Sequence, residues 1–348
     1  MKIVIFFSLL FTLNARAEIN REWEDYSDPS IRGANFERML ARLPLAGQPV
    51  MSGKLWASDY WSRKKGSINR RWNTRDQIGF KLVSPTRDEA HAMSIEQLAT
   101  LSATEKLDLL NADYSYSLVQ EVDKIADEHA ELWHGICNGW APAAQNHKEP
   151  TPKTLTSTDG VQVPFGSSDI KALLSYYYAY HSDATTTHQM GKRCFLIFGP
   201  GCDEDLNAGA FHIVLANTVG IQKQSFIADV ERGRQVWNHN IVGYTSVITE
   251  DNMEPAHDSA PGTVKRVRVK TDMTYVAGIT ANSWNPTNGT PAHENDVKHY
   301  EYILDVDYAG RIVGGEWKSK ARPDFIWSMD KATSFKGNWA RLSELLND

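Results

Sequence analysis

Apolar residues recur at helical spacing through the first half of the chain and at a period of two through much of the second. Leu118, Val122, Ile125, His129 and Trp133 share one helical face, and Gly135 is placed to end that helix. Three helix starts carry a Ser followed three residues later by Glu or Gln, at Ser94–Gln97, Ser102–Glu105 and Ser117–Gln120. That spacing lets side chain and backbone cap each other. Another helix is predicted over Asp169 to Tyr180, with Ile170, Leu173, Leu174 and Tyr177 on its inner face. From Phe211 the pattern predicts strands at 211–217 and 225–230, joined by a turn containing Gly220. Alternation from Val264 to Lys270 predicts a half-exposed strand, and Tyr300–Val306 and Arg311–Trp317 flank the hairpin turn Asp307-Tyr308-Ala309-Gly310. The stretches 147–164, 250–263 and 282–297 read as loops. Helices first and antiparallel strands afterwards imply an α+β fold, a helical layer packed on an antiparallel sheet.

Composition adds bounds. The chain has 348 residues, 41% hydrophobic, enough for a substantial core. A net charge of −6 with no basic run excludes a nucleic-acid surface. Lys2, the apolar run Ile3–Leu13 and Ala15-Arg16-Ala17 have the form of an export signal over residues 1–17, too short to span a bilayer. A secreted or periplasmic protein is the expectation, with no membrane anchor. Residues 18–92 show little periodicity and read as an irregular cover or propeptide, which leaves 93–348 as the catalytic domain.

Three cysteines in an oxidising compartment change the picture. Cys194 and Cys202 flank Gly199-Pro200-Gly201, a turn able to bring them together, although connectivity cannot be deduced from sequence. Cys137 is then left unpaired, as a reactive thiol or a buried small hydrophobe. Downstream, His212 and Asp229 each sit singly within an apolar run. A carboxylate there is costly unless a partner meets it. If the two predicted strands pair as a hairpin, His212 and Asp229 face each other across the ladder. A thiol, an imidazole and an orienting carboxylate are the parts of a nucleophilic cysteine enzyme. That chemistry needs the sulfur within hydrogen-bond reach of His212. A thioester intermediate resolved by an amine makes a transferase; water makes a peptidase or deamidase. A secreted binding protein without activity is a third reading.

The segment Trp133-His134-Gly135-Ile136-Cys137-Asn138-Gly139-Trp140-Ala141-Pro142 resembles the active-site cysteine segment of the oomycete-type transglutaminase elicitors, which have bacterial relatives. Further similarity lies in Ser168–Leu173, Phe211-His212, Phe226–Val230, Ile312–Trp317 and Pro323–Trp327. The resemblance implies a papain-like core and a secreted protein-glutamine γ-glutamyltransferase acting on glutamine and amine-bearing proteins. It implies Cys137 as nucleophile, His212 as base and Asp229 as orienter. It also suggests calcium stimulation. Asp203 and Asp205, in the acidic cluster before Asn207, are the candidate ligands, although a solvated loop explains them as well. Trp133, Trp140 and Trp237 are candidate groove-lining aromatics, with a core role the plainer reading of Trp237. The family's elicitor peptide corresponds to Val236–Tyr244, where His239, Asn240 and Val242 depart from its pattern.

Overall fold

The computed structural model describes residues 23–50, 55–71, 82–183, 188–193, 206–278 and 295–347. The export signal, Cys194, Cys202, Asp203 and Asp205 lie outside them. The helices are α1 (Arg87–Ala92), α2 (Ile95–Ala99), α3 (Ala103–Leu110), α4 (Ser117–Asp123), α5 (Cys137–Asn146), α6 (Ser167–Tyr180) and α7 (Ala208–Leu215). The capping boxes at Ser94 and Ser102 form as expected, each with reciprocal side-chain and backbone bonds. The one at Ser117 does not. Tyr116 takes a left-handed conformation, and two aspartates cap α4 instead. Asp113 accepts from the Ser117 N–H at 3.1 Å, and Asp108 accepts from the Leu118 and Val119 N–H groups, each at 3.1 Å. The helix then stops at Asp123 rather than running to Trp133. Beyond it the chain is tied to the upstream segment: Arg63 Nε donates to the Ile125 carbonyl at 2.7 Å. Leu55, Trp56, Ala57 and Ile68 of that upstream segment are buried in the helical core.

Strands β1 (Ala46–Gly47), β4 (Met190–Gly191), β5 (Ile227–Asp229), β6 (Asn238–Met253), β7 (Thr263–Val276), β8 (Asn295–Asp307), β9 (Ile312–Trp317) and β10 (Phe325–Trp327) form one antiparallel sheet, in the order β4-β10-β5-β6-β7-β8-β9, with β1 added beside β6. The hairpin predicted at Asp307–Gly310 is present; Gly310 has φ 84°, and Asp307 Oδ1 accepts the Ala309 and Arg311 N–H groups. Within the expected loop 147–164, Lys153–Thr156 (β2) and Gln162–Phe165 (β3) pair as a separate hairpin.

The sheet has a different cover on each face. β5 pairs with β6 (Asp229 opposite Asn238, Ile227 opposite Asn240) and β10 pairs with β5 (Trp327 opposite Ile227). Alternation turns Ile227, Asp229, Asn238, Asn240 and Trp327 to one face and Ala228, Ile326 and Ile241 to the other. The first face lies under α5: Ala141 packs with Ile227 and Trp327, and Asn240 donates to the Ala141 carbonyl at 2.9 Å. The second face lies under α7, whose Phe211, Ile213 and Val214 pack with Ala228, Ile241 and Ile326.

This arrangement corrects the strand expected at 211–217. Residues 208–215 are helical, capped by Asn207, which accepts from the Gly209 and Ala210 N–H groups, and the helix continues in π geometry through Ala216–Ile221. Every residue of α7 is buried. A helix enclosed on all sides is apolar all round, so it loses the one-sided period that distinguishes a helix from a strand.

Candidate active site

Cys137 is the first residue of α5. The helix begins there because Gly139 and Trp140 both donate to the Ile136 carbonyl, at 2.9 and 3.0 Å. Pro142 is accommodated inside, where its missing N–H leaves one intrahelical bond unmade. Gly139 is required by packing, since a Cβ there would overlap the Ser175 carbonyl oxygen of α6. Close α5–α6 contact thus fixes the helix start and the thiol with it.

The sulfur is 7% exposed as a residue and lies in a cleft of about 690 Å³. The thiol donates to the Val236 carbonyl at 3.6 Å, and Asn238 Nδ2 donates to Sγ at 3.6 Å. Asn238 is itself held by Trp327, whose Nε1 donates to its Oδ1 at 2.8 Å. Burial pushes the thiol up from its ordinary pKa, and the charge of Asp229 adds to this. The Asn238 amides and the Asn138 N–H oppose it.

Asp229 stands opposite Asn238, on the same face. Its Oδ1 accepts the Trp237 N–H at 3.0 Å, while Oδ2 is buried with no partner. Burial and the neighbouring Asp324 carboxyl push Asp229 up to about 8, against the Trp237 N–H and Arg193. The structure therefore brings Cys137 and Asp229 to one place.

It does not bring His212 there. The imidazole projects from α7, under the opposite face of the sheet, and is completely buried. Nδ1 lies 2.7 Å from Tyr302 Oη, which lies 2.7 Å from Thr271 Oγ1, itself 2.7 Å from Ser246 Oγ. Ser246 is eight residues along β6 from Asn238, roughly 25 Å of strand at about 3.3 Å per residue. Burial pushes His212 down to about 4. It is a neutral core residue bonded to a tyrosine, and the sulfur–imidazole contact expected from the sequence is not made. The imidazole that lines the cleft is His134, its ring edge-on to Trp133.

Of the three candidate groove aromatics, Trp133 lines the cleft. Trp140 is a core residue, 2% exposed, donating to the Trp56 carbonyl at 3.0 Å. Trp237 packs edge-on to Tyr60, and its backbone rather than its ring serves the site. Asn238, Trp327, Phe325 and Met329 carry no individual signal in the sequence, although Asn238, Phe325 and Trp327 fall inside the segments that carry the resemblance.

The transglutaminase elicitor family model matches residues 30–337. The chain belongs to the transglutaminase elicitor family. Its fold is similar to that in the crystal structure of the GP42 transglutaminase from Phytophthora sojae. The TM-score is 0.65 at 22% identity, covering 91% of this chain and 94% of that one. No curated protein matches the chain. Among the described residues no group of three or more His, Cys, Asp or Glu is placed to hold a metal ion, and no helix is long and apolar enough to cross a membrane. The described residues thus offer no fit for the calcium that the family resemblance suggests, and no step is drawn through it.

Proposed function

We propose that this chain is a secreted protein-glutamine γ-glutamyltransferase, working through a Cys137 thioester with Asp229 as its proton carrier. The observation that carries this is the placement of a thiol at a helix start, at the foot of a cleft, beside a buried carboxyl with one oxygen free. An ordinary thiol and an ordinary carboxyl differ in acidity by a factor of roughly 10⁴–10⁵, which makes direct proton exchange unfavourable. Asp229, pushed up to about 8, is a far stronger proton acceptor than an ordinary carboxylate, and this offsets part of the rise that burial imposes on the thiol. A group titrating near neutral pH serves as both acceptor and donor.

Asp229 carboxylate takes the thiol proton through a bridging water, and sulfur attacks the carboxamide carbon of a bound glutamine, forming the C–S bond. The oxyanion meets the Cys137 backbone N–H at the open start of α5. Protonated Asp229 gives its proton to the departing nitrogen, the C–N bond breaks, and ammonia leaves a thioester. A lysine amine then attacks, Asp229 accepts its proton, and the isopeptide forms as sulfur departs. Among the described residues that line the cleft, His134 is the imidazole. We place the role on Asp229 because its charge acts on the sulfur, whereas the His134 ring packs against Trp133.

Ammonia release and incorporation of a labelled amine into a glutamine-rich protein, for wild type beside Cys137→Ala, test the reading. Ammonia without amine incorporation makes the enzyme a deamidase; new N-termini make it a peptidase. One observation favours a second reading, a binding protein without activity. The thiol is buried, and among the described residues no imidazole is hydrogen-bonded to it. No ammonia from any glutamine protein and a thiol inert to iodoacetamide would favour that reading.

A further inference from the structure

A second cleft, of about 470 Å³, lies beyond the opposite end of α5, lined by Gln145 and Asn146. Met329 lines both clefts. Asn146 fixes it, donating to its carbonyl at 3.0 Å. The two clefts therefore adjoin at Met329.

The second cleft contains a guanidinium in need of an anion. Arg32 lines it. Its Nη1 donates to two neutral acceptors, the His188 carbonyl and Ser328 Oγ, each at 2.8 Å. Nε is buried without a partner. Among the described residues no carboxylate pairs with Arg32, and its burial lowers its pKa to about 10, a sign of how poorly the charge is compensated. Lys223, exposed on the rim, adds positive charge.

We infer that this cleft binds an anionic side chain of the acyl-donor polypeptide, carboxylate or phosphate, at a fixed distance from the glutamine in the thiol cleft. The inference rests on the proposed transferase reading. The spacing follows from α5: eight to nine residues from Cys137 to Gln145 and Asn146 rise roughly 13 Å, which extended chain covers in about four residues. The Arg32 fork suits either anion, and a pre-placed guanidinium loses little freedom on binding.

The test uses peptides with one glutamine and one glutamate, scanned two to six residues away on each side, with alanine and phosphoserine versions. Amine incorporation is read on the wild type, and anisotropy of labelled peptide on Cys137→Ala. The expected result is an optimum near four residues on one side. It favours glutamate over alanine by about tenfold through KM, and salt diminishes it. In Arg32→Gln and Lys223→Gln the glutamate-to-alanine ratio falls toward one. Lys223 is exposed, so K223Q decides should R32Q not fold. A flat scan in the wild type, or a ratio kept in both variants, overturns the inference. If no peptide is turned over but the acidic peptide still binds Cys137→Ala in an Arg32-dependent way, the anion site stands and the transferase reading falls.

Discussion

Asp229→Asn separates the carboxyl's two proposed effects, because one raises the thiol pKa and the other moves its proton. Asparagine is isosteric and keeps the acceptor for the Trp237 N–H, so the loop before β6 is retained. Asp229 pairs with Asn238, whose amide reaches the sulfur, which sets carboxyl and thiolate roughly 6–8 Å apart. At an effective dielectric of about 20, two like charges at that distance repel by about 2–3 kcal/mol. The repulsion exists only when Asp229 is ionised, above about pH 8. In D229N, iodoacetamide alkylation of Cys137 is therefore expected to match wild type at pH 6–7 and to run on the order of tenfold faster at pH 9. Amine incorporation should move the opposite way and fall by about 10²-fold or more, the usual contribution of a positioned acid–base group. Alkylation as a function of pH, with mass spectrometry to confirm Cys137 as the site, supplies one curve; labelled-amine incorporation supplies the other. Turnover within threefold of wild type, or an alkylation curve identical to wild type at every pH, would refute the role given to Asp229.

The remaining expectations concern the rest of the site and its support. His212→Gln should lower Tm, because a buried imidazole bonded to Tyr302 is disturbed, while amine incorporation stays within about threefold; a loss of 10²-fold in a folded variant would return His212 to the chemistry. Asn238→Ala removes the amide on the sulfur and leaves Trp327 Nε1 without its acceptor, at about 1–3 kcal/mol in urea denaturation and with reduced turnover. Asp108, buried between α3 and α4, is pushed up to about 7 by burial. Because the folded-state value is above the unfolded one, near 4, its contribution is complete below about pH 4 and is lost as pH rises through 7. The unfolding free energy from urea denaturation should therefore fall between pH 5 and 8 by no more than about 3 kcal/mol, and Asp108→Asn should flatten that slope.

Legibility in the sequence followed the physics of each segment. The capping boxes at Ser94 and Ser102 and the alternation of Val264–Lys270, which falls within β7, were readable because each is a local rule with a local cause. The start of α4 was misread because its caps, Asp108 and Asp113, lie outside the Ser-x-x-Gln window. The run at His212 was ambiguous in principle: seven apolar or small residues around one imidazole, enclosed on all sides, carry no period. Cys137 and Asp229 were found as anomalies, a thiol among small residues and a carboxylate in a core strand, and the structure places them together. Asn238 and Trp327 gave no such signal, since an amide and an indole are unremarkable wherever they fall, and only strand register shows that they converge on the sulfur.

The acid–base state of the site ties these features together. Burial raises the thiol, the Val236 carbonyl accepts an S–H and so favours the protonated sulfur, and Asp229 titrates at about 8. At pH 7 the first two favour a neutral thiol, and about a tenth of Asp229 is ionised and able to accept its proton. A pre-formed imidazolium–thiolate pair would instead store charge at the foot of an open cleft, where oxidants and stray electrophiles reach it. Here the charges must be created within the reaction. A carboxamide seated against the sulfur displaces the Val236 contact and removes the one acceptor that selects the S–H form. On the proposed mechanism, proton movement between sulfur and Asp229 then costs less than it would with an ordinary carboxylate, because the carboxyl is raised along with the thiol. The unpaired Oδ2 is an expense to the folded protein in the absence of substrate. On the proposed mechanism the carboxylate has a use that outweighs this cost: an asparagine would preserve the Trp237 bond and serve the fold, but would not carry the proton.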